Sequence, residues 1–579
     1  MNAPSTPSTS LGEWLAVALV TVVGALVRLS PPGRLGLVHF DEGIYALAAT
    51  WSLNPGGLGN IDPSLIPYAP PGFPILVGTL YAILGPSDVA AIAVSQVAGT
   101  ATIPVIAWLA RRTFGPGAGF ASALLVALSG PHIAFSRMAL TDVSFLLAWL
   151  VAIGAGVRFL ERPGAGRGIA MGAAVGLAQE FKYNGWLAGG VVILAAVLGA
   201  LARPEGRRPR ELVRVFGWGA LGALVAALVV LPWFFFVERH GGYSALLDHQ
   251  RGYLVGWRGW HRSFRAQGDQ SVALSGGHLL VVLTWFLASV GAWVCRRSQG
   301  SEGPVTLADR TLVVLAVLTT AGLLVMVPDA PWWLGLALAP WLLRSDRPAT
   351  RVLGAWWVAV AAITPFYHPY ARLWLPVEAV EWLLLGGALA RGFEAVQPYL
   401  RRVRNRATEA DPSFARFCLA WVWGIGVGVL CTMELERLDV APKPLAGLLG
   451  PSDGLRRSVG RVVSKLPPDL AALRFYGRPS ILFYLGGRLP IQRHADVEKI
   501  LRSPDGRSWT LIDFASLSPR AMPSGIEDWE IVDFIQTELN NPTRLDVEPD
   551  AARGVFSAGN GRFSPMILLK PRPPRDPTP

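Results

Sequence analysis

The sequence predicts an all-α polytopic membrane domain of about thirteen transmembrane helices with outer juxtamembrane helices, followed by a small α/β soluble domain. Three observations predict it. The chain is 52% hydrophobic and only 16% charged over 579 residues, whereas soluble globular chains carry about 25% charged residues. Its apolar residues fall in repeated stretches near the roughly 20 residues that a bilayer span needs. From residue 434 onward the chain turns polar, and short β-patterned runs replace the long apolar ones.

The first apolar stretch, Leu11 to Leu29, has no basic segment before it and many apolar runs behind it, so it reads as a retained span and not a cleaved signal. Further spans centre on 88–110, 117–135, 142–160, 168–181, 183–202, 214–237, 276–295, 310–327, 331–343, 352–367, 373–390 and 414–433. A charge at mid-bilayer costs about 2.5–3.5 kcal/mol on insertion scales, so charged positions mark the loops. With the N-terminus in the cytoplasm, the inside loops collect Arg111 and Arg112, then Arg158, Arg162 and Arg167, then Arg203 to Arg214, and later Arg296, Arg297, Arg344, Arg347, Arg351 and Arg401 to Arg406. That is the positive-inside pattern. The stretch 71–86 is apolar but short and bracketed by prolines. Counting it as a span would invert everything after it, so it reads as a re-entrant or juxtamembrane helix on the outer face.

These boundaries divide the chain into a transmembrane domain, 1–433, and an outer, periplasmic-side domain, 434–579. In the latter, Ser480–Leu485 and Trp509–Phe514 look strand-like, residues near 494–502 look helical, and the closing PRPPRDPTP reads as disordered. The formal charge of +12 does not point to nucleic acid, because the arginines sit in short stretches between apolar runs. Cys295, Cys418 and Cys431 form no CxxC or Cys/His cluster, so neither a zinc site nor a disulfide framework is legible.

Candidate chemistry gathers in the outer segments. After the first span come Asp41, Glu42 and, one helical turn on, Tyr45. Adjacent carboxylates outside a span can be ordinary interfacial solvation, or one can take a proton from an acceptor hydroxyl. Asp142 opens a later span, where Thr141 and Asp142 would also serve as an ordinary N-cap. Lys182 and Tyr183 stand between two apolar halves, and a lysine there either snorkels to the interface or meets an anion. The outer segment 238–275 carries Arg239, Arg251, Arg258, Arg262 and Arg265 with His240, His249 and His261. Such basicity outside runs against the positive-inside tendency, and suits either a phosphate at the membrane face or anionic lipid headgroups. His368 and Arg372 form one more outer group between late spans.

In this order and topology, Asp41-Glu42-x-x-Tyr45, the pair Pro70-Pro71, Leu140-Thr141-Asp142, Phe181-Lys182-Tyr183-Asn184-Gly185, Asp248-His249-Gln250-Arg251 and His368 to Pro376 resemble the GT-C polyprenyl-phosphate-dependent glycosyltransferases, in particular the protein O-mannosyltransferase and aminoarabinose-transferase group (glycosyltransferase family 39-like). The likeness spans about residues 11–430. Ala69 stands where aminoarabinose transferases carry a lysine, and Leu373 where relatives show tyrosine.

The resemblance implies a sugar donor linked to a polyprenyl phosphate and a lipid, glycan or protein acceptor on the outer side of the cell membrane. Asp41 would be the catalytic base, with inversion, and Asp142 would orient the acceptor or a cation. Lys182, His249, Arg251 and Arg372 would hold the phosphate, with Glu42, Tyr45, Tyr183 and His368 lining the substrate site. It fixes no cofactor, and a divalent cation stays open. Two other readings are a transporter or flippase for lipid-linked sugars and a non-catalytic assembly protein. A transporter would place its ionisable groups at mid-membrane, often with internal repeats; here they sit at the outer mouth, and no repeat is legible.

Overall fold

The computed structural model describes residues 11–30, 33–53, 70–201, 208–275 and most of 342–390, together with 452–486, 491–494, 496–502, 508–514, 525–538 and 563–572. The sequence-read spans 276–295, 310–327 and 414–433, most of 331–343, and all three cysteines lie outside these residues.

The helical part runs α1 Leu11–Leu29, α2 Phe40–Leu53, α3 Gly72–Leu84, α4 Asp88–Phe114, α5 Ala118–Leu128, α6 Gly130–Ser136, α7 Thr141–Glu161, α8 Ala165–Phe181, α9 Leu187–Leu201, α10 Arg208–Arg239, α11 Gly242–Arg251, α12 Gly256–Ser275 and α13 Pro348–Ile363. Among the described residues five helices are long and apolar enough to cross a membrane, or six if the bent pair α5–α6 is one span. The helices α8 and α9 stand where spans were read, but at 17 and 15 residues they fall short of the roughly 20 needed for a straight crossing. The proline-bracketed stretch is helix α3, 13 residues long.

Two local devices hold the bundle together. Gly168, Gly172 and Gly176 recur every fourth residue along α8 and face Trp218, Gly222 and Ala226 of α10, backbone against backbone. Close approach through small residues is how helices associate where lipid removes the hydrophobic drive. The second device is Arg28, fully buried in the last turn of α1. Helices α5 and α6 meet at a 60° bend. There Pro131 lacks the N–H that would have served Ala127. Arg28 donates to the Val126 carbonyl at 3.1 Å and the Ala127 carbonyl at 3.3 Å, and lies 2.7 Å from His132 Nδ1. A side chain thus satisfies the carbonyls released by the bend, as a low-dielectric interior demands.

The C-terminal part is a five-stranded mixed sheet in the order β2-β1-β3-β5-β4, from β1 Leu473–Tyr476, β2 Ile491–Arg493, β3 Trp509–Asp513, β4 Trp529–Glu538 and β5 Phe563–Pro571. Strands β1, β2 and β3 are parallel, and β5 pairs antiparallel with both β3 and β4. Helices α14 Gly454–Lys465, α15 Pro479–Leu485 and α16 Val497–Leu501 accompany the strands. The strand expected over Trp509–Phe514 and the helix near 494–502 are both present. The strand expected over Ser480–Leu485 is instead helix α15. Pro479 occupies its first turn, where a fixed φ and a missing N–H do no harm. Its buried Ile481, Leu482 and Leu485 follow helical spacing. A six-residue apolar run carries too little periodicity to separate the two forms.

The sheet sits at one end of the bundle. Tyr484 and Arg456 both hydrogen-bond Asp88 in the first turn of α4. Toward the far end of that helix, about 35 Å away at 1.5 Å per residue, Arg111 pairs with Glu13 and Arg112 with Glu161.

Candidate active site

The residues singled out at the sequence level are best followed from the first turn of α2. The segment leading into it is held on both sides. Glu42 is buried, and its carboxylate accepts from the Val38 and His39 amides at 2.8 Å each and from the Ala139 amide at 2.8 Å. Glu42 therefore ties the start of α2 to the loop that opens α7, and its two oxygens are occupied by backbone. Burial pushes this carboxyl up, against the pull of the three amides. The His39 ring accepts from the Asp41 amide at 3.0 Å and so closes the helix start. Glu42→Gln is expected to leave at least one of the three amides facing an NH2 group, costing about 1–3 kcal/mol. The check is a lower melting midpoint in detergent, and an unchanged midpoint would remove this anchoring role.

With the turn fixed, Asp41 projects toward Arg372, whose Nη1 donates to Asp41 Oδ2 at 2.7 Å across 331 positions of sequence. Arg372 is placed by α12. Ser263 donates to the Tyr367 carbonyl at 2.7 Å, Gln270 to the Pro369 carbonyl at 2.7 Å, and Phe264 packs edge-on against Trp374. The segments 253–255 and 366–368 are joined by Val255 N to Phe366 O and His368 N to Tyr253 O. Tyr370 lies under the guanidinium, 4.9 Å from ring centre to Arg372 Cζ. Burial acts to raise the Asp41 carboxyl, but Arg372, His39 and Lys182 together hold it below its ordinary value.

The second acid opens α7. Its N-cap is Leu140, which makes no side-chain cap bond, so the ordinary N-cap role read for Asp142 is not the one adopted. Asp142 is 1% exposed and pairs through Oδ1 with Lys182 Nζ, which also lies over the Phe145 ring. Among the described residues Asp142 Oδ2 has no hydrogen-bond partner. Lys182 stands at the break between α8 and α9, so two short helices deliver one lysine to the bundle end. Tyr45, one turn along α2, feels Asp41, Asp142 and Arg372 together, and its ring packs edge-on against Phe73 of α3.

Asp41, Tyr45, Asp142, Lys182 and Arg372 thus converge at one end of the bundle. His249, at the end of α11, is exposed but close enough for Asp41 to act on its charge. His368 sits in the paired segment beside Tyr370, its ring centre 4.6 Å away. Tyr183 accepts from Trp233 Nε1 at 3.2 Å and turns toward Tyr243. Arg251 is exposed and paired with Asp248 at 2.8 Å, so it stays outside the group. The Tyr253–Tyr367 stack, with ring centres 5.7 Å apart, carries no motif and was not read from sequence. Among the described residues no three His, Cys, Asp or Glu side chains gather to hold a metal ion, so these residues supply no dedicated ligand set for the divalent cation left open above.

Two separate carboxylate–cation pairs at the mouth of a helical bundle form a distinctive arrangement, and comparison with known proteins gives it a context. Residues 68–235 match the dolichyl-phosphate-mannose-protein mannosyltransferase family. Over nearly its whole length the chain has the fold of the solved ArnT structures. ArnT from Cupriavidus metallidurans bound to undecaprenyl phosphate is 16% identical and superposes with a TM-score of 0.53, over 96% of this chain and 98% of that one. Its apo form gives 15% and 0.51 over the same shares. The archaeal oligosaccharyltransferase AglB from Archaeoglobus fulgidus, in complex with an inhibitory peptide and a dolichol-phosphate, is 12% identical with a TM-score of 0.51, over 87% of this chain and 69% of that one. None of the curated protein sequences matches the chain. At 96% coverage, the likeness in fold to ArnT takes in both the helical bundle and the sheet at its end.

Proposed function

We propose that the protein transfers a sugar from a polyprenyl-phosphate donor to an acceptor hydroxyl at the outer face of the cell membrane, with inversion at the anomeric carbon. The observation that carries this reading is the meeting of Asp41–Arg372 and Asp142–Lys182 at the sheet-bearing end of the bundle. The chemistry needs a base for the hydroxyl and cations for a phosphate that gains negative charge as it leaves. Asp41 takes the acceptor proton, the acceptor oxygen bonds to the anomeric carbon, and the bond from that carbon to the phosphate oxygen breaks. The polyprenyl phosphate departs with the electron pair and is held by Arg372 and Lys182, with His249 at the rim. Asp142 keeps Lys182 in place and offers Oδ2 to an acceptor or sugar hydroxyl. Tyr45, Tyr183 and His368 line the approach, and Glu42 acts through the backbone.

Support for the donor class comes from the structural relatives, whose structures hold undecaprenyl phosphate in ArnT and dolichol-phosphate in AglB. The orientation rests on the arginine distribution: Arg111, Arg112 and Arg158 lie at helix ends remote from the sheet. The test uses purified full-length protein with a panel of polyprenyl-phospho-hexoses, -pentoses and -amino sugars and an extract of envelope lipids, glycans and proteins. Covalent extension of an acceptor with release of polyprenyl phosphate, read by mass spectrometry, is expected. Movement of intact donor across vesicles with no covalent transfer would establish the transporter reading instead.

A further inference from the structure

The C-terminal domain grips the segment that leads into the Asp41 turn. Residues 33, 34, 37, 38 and 39 and Gly43 of α2 meet it at α14, α15 and the loops at 452 and 478. Ser452 N donates to the Arg34 carbonyl at 2.9 Å, Arg456 donates to the Gly33 carbonyl at 3.0 Å, and the Leu37 amide donates to the Tyr484 hydroxyl at 2.7 Å. Nearest to Asp41 the contacts become buried and charged. Arg478 is 4% exposed and forks onto Asp513, which is 0% exposed, with Nε to Oδ2 at 2.7 Å and Nη2 to Oδ1 at 3.1 Å. Its remaining nitrogen, Nη1, donates to the Val38 carbonyl at 3.1 Å. Ser480 donates to the His39 carbonyl, and His39 is the residue whose ring receives the Asp41 amide. A Cβ on Gly43 would fall within the backbone of Pro479 and Ser480, so α15 rides directly on the turn that presents the base.

The place of these residues in the sheet sharpens the point. The parallel strands run in the order β2-β1-β3, so the strand order switches sides between β1 and β3. In open α/β sheets the crevice at the carboxyl ends of strands at such a switch is where ligands bind. Arg478 follows β1 and Asp513 closes β3, so this crevice is filled by their ion pair and by the Val38–His39 backbone.

We propose that Arg478 and Ser480 are positioning residues for the transfer reaction, and that the C-terminal domain uses its crevice to hold the Asp41 turn and not to bind an acceptor. The proposal rests on Asp41 being the base, and acts on it solely through the backbone carbonyls at 38 and 39. Arg478→Lys keeps the charge but loses the fork. Ser480→Ala loses one hydrogen bond at constant fold. Full-length Arg478→Lys is expected to lose about tenfold or more in kcat and Ser480→Ala about threefold to tenfold, with donor KM changed by less than about twofold, because a misplaced base costs rate and not ground-state binding.

A second readout does not depend on catalysis. In a background with Cys295, Cys418 and Cys431 replaced by serine, Asp41→Cys is alkylated by a small maleimide. Adding Ser480→Ala or Arg478→Lys is expected to change the labelling rate at least about threefold while the melting midpoint holds. Unchanged kcat together with unchanged labelling in folded Ser480→Ala would overturn the positioning role. If labelling responds while Asp41→Asn still turns over, the positioning role stands and the assignment of the base is what fails.

Discussion

Asp41→Asn is expected to lower kcat by about a thousandfold or more, at the upper end of what a general base contributes. The substitution is close to isosteric, and the amide oxygen can still accept from Arg372, so the turn held by Glu42 and His39 should keep its shape. What is lost is the capacity to take a proton. Donor KM is expected to hold or fall, since the guanidinium of Arg372 gives up an anionic partner and becomes freer for the donor phosphate. A loss confined to kcat marks an interaction made in the transition state alone. The measurement is steady-state transfer at saturating acceptor with the melting midpoint as a folding control. Residual kcat within about tenfold of wild type would remove Asp41 from the role of base.

The same first turn shows what sequence can and cannot yield. Asp41, Asp142, Lys182 and Arg372 were legible because each is a charge where the bilayer disfavours charge, and because the arginine distribution sends all four to one side. Their pairing was not legible. Whether Lys182 meets a phosphate or Asp142, and whether Arg372 meets a phosphate or Asp41, depends on how α7, α8 and α12 pack, and no local pattern encodes that. Glu42 is the converse case: the resemblance puts it in the substrate site, and no local pattern encodes that its carboxylate accepts from three backbone amides. Arg251 was attractive by charge, yet it lies on the solvent side of α11 with Asp248 three positions before it. Helices α1, α4 and α7 fall close to the expected spans because a long apolar run has one answer in a bilayer. The Ser480–Leu485 run has two, and Pro479 with the helical spacing of its buried residues goes with the helix. Arg478 belongs to no motif and Asp513 only to the strand-like run Trp509–Phe514, so their part in the site emerges from tertiary contact alone.

Arg372→Gln tests the other half of the chemistry and carries a pH signature. Removing a cation that stabilises developing negative charge typically costs about 100-fold to 1,000-fold, and kcat/KM is expected to fall by at least about 100-fold. The sign of the pH effect follows from the Asp41 environment. Burial raises its pKa, and Arg372 is the largest of the opposing influences that bring it below the ordinary aspartate value of about 3.9. In the wild type Asp41 is therefore ionised at neutral pH, and its contribution to stability, present above that ordinary value, is lost as pH falls through the depressed folded-state value.

Without the guanidinium, burial prevails and the acid limb of kcat/KM should move to higher pH. Arg372→Lys should return part of the rate and part of the low-pH limb, since the charge is restored without the planar fork. Under the proposed reaction a depressed pKa would make Asp41 a poor base on its own, so Arg372 is expected to change partners: the departing phosphate would compete for the guanidinium and loosen its hold on Asp41 as the proton arrives. If the acid limb of Arg372→Gln coincides with that of the wild type, this coupling is absent and Arg372 serves the phosphate alone.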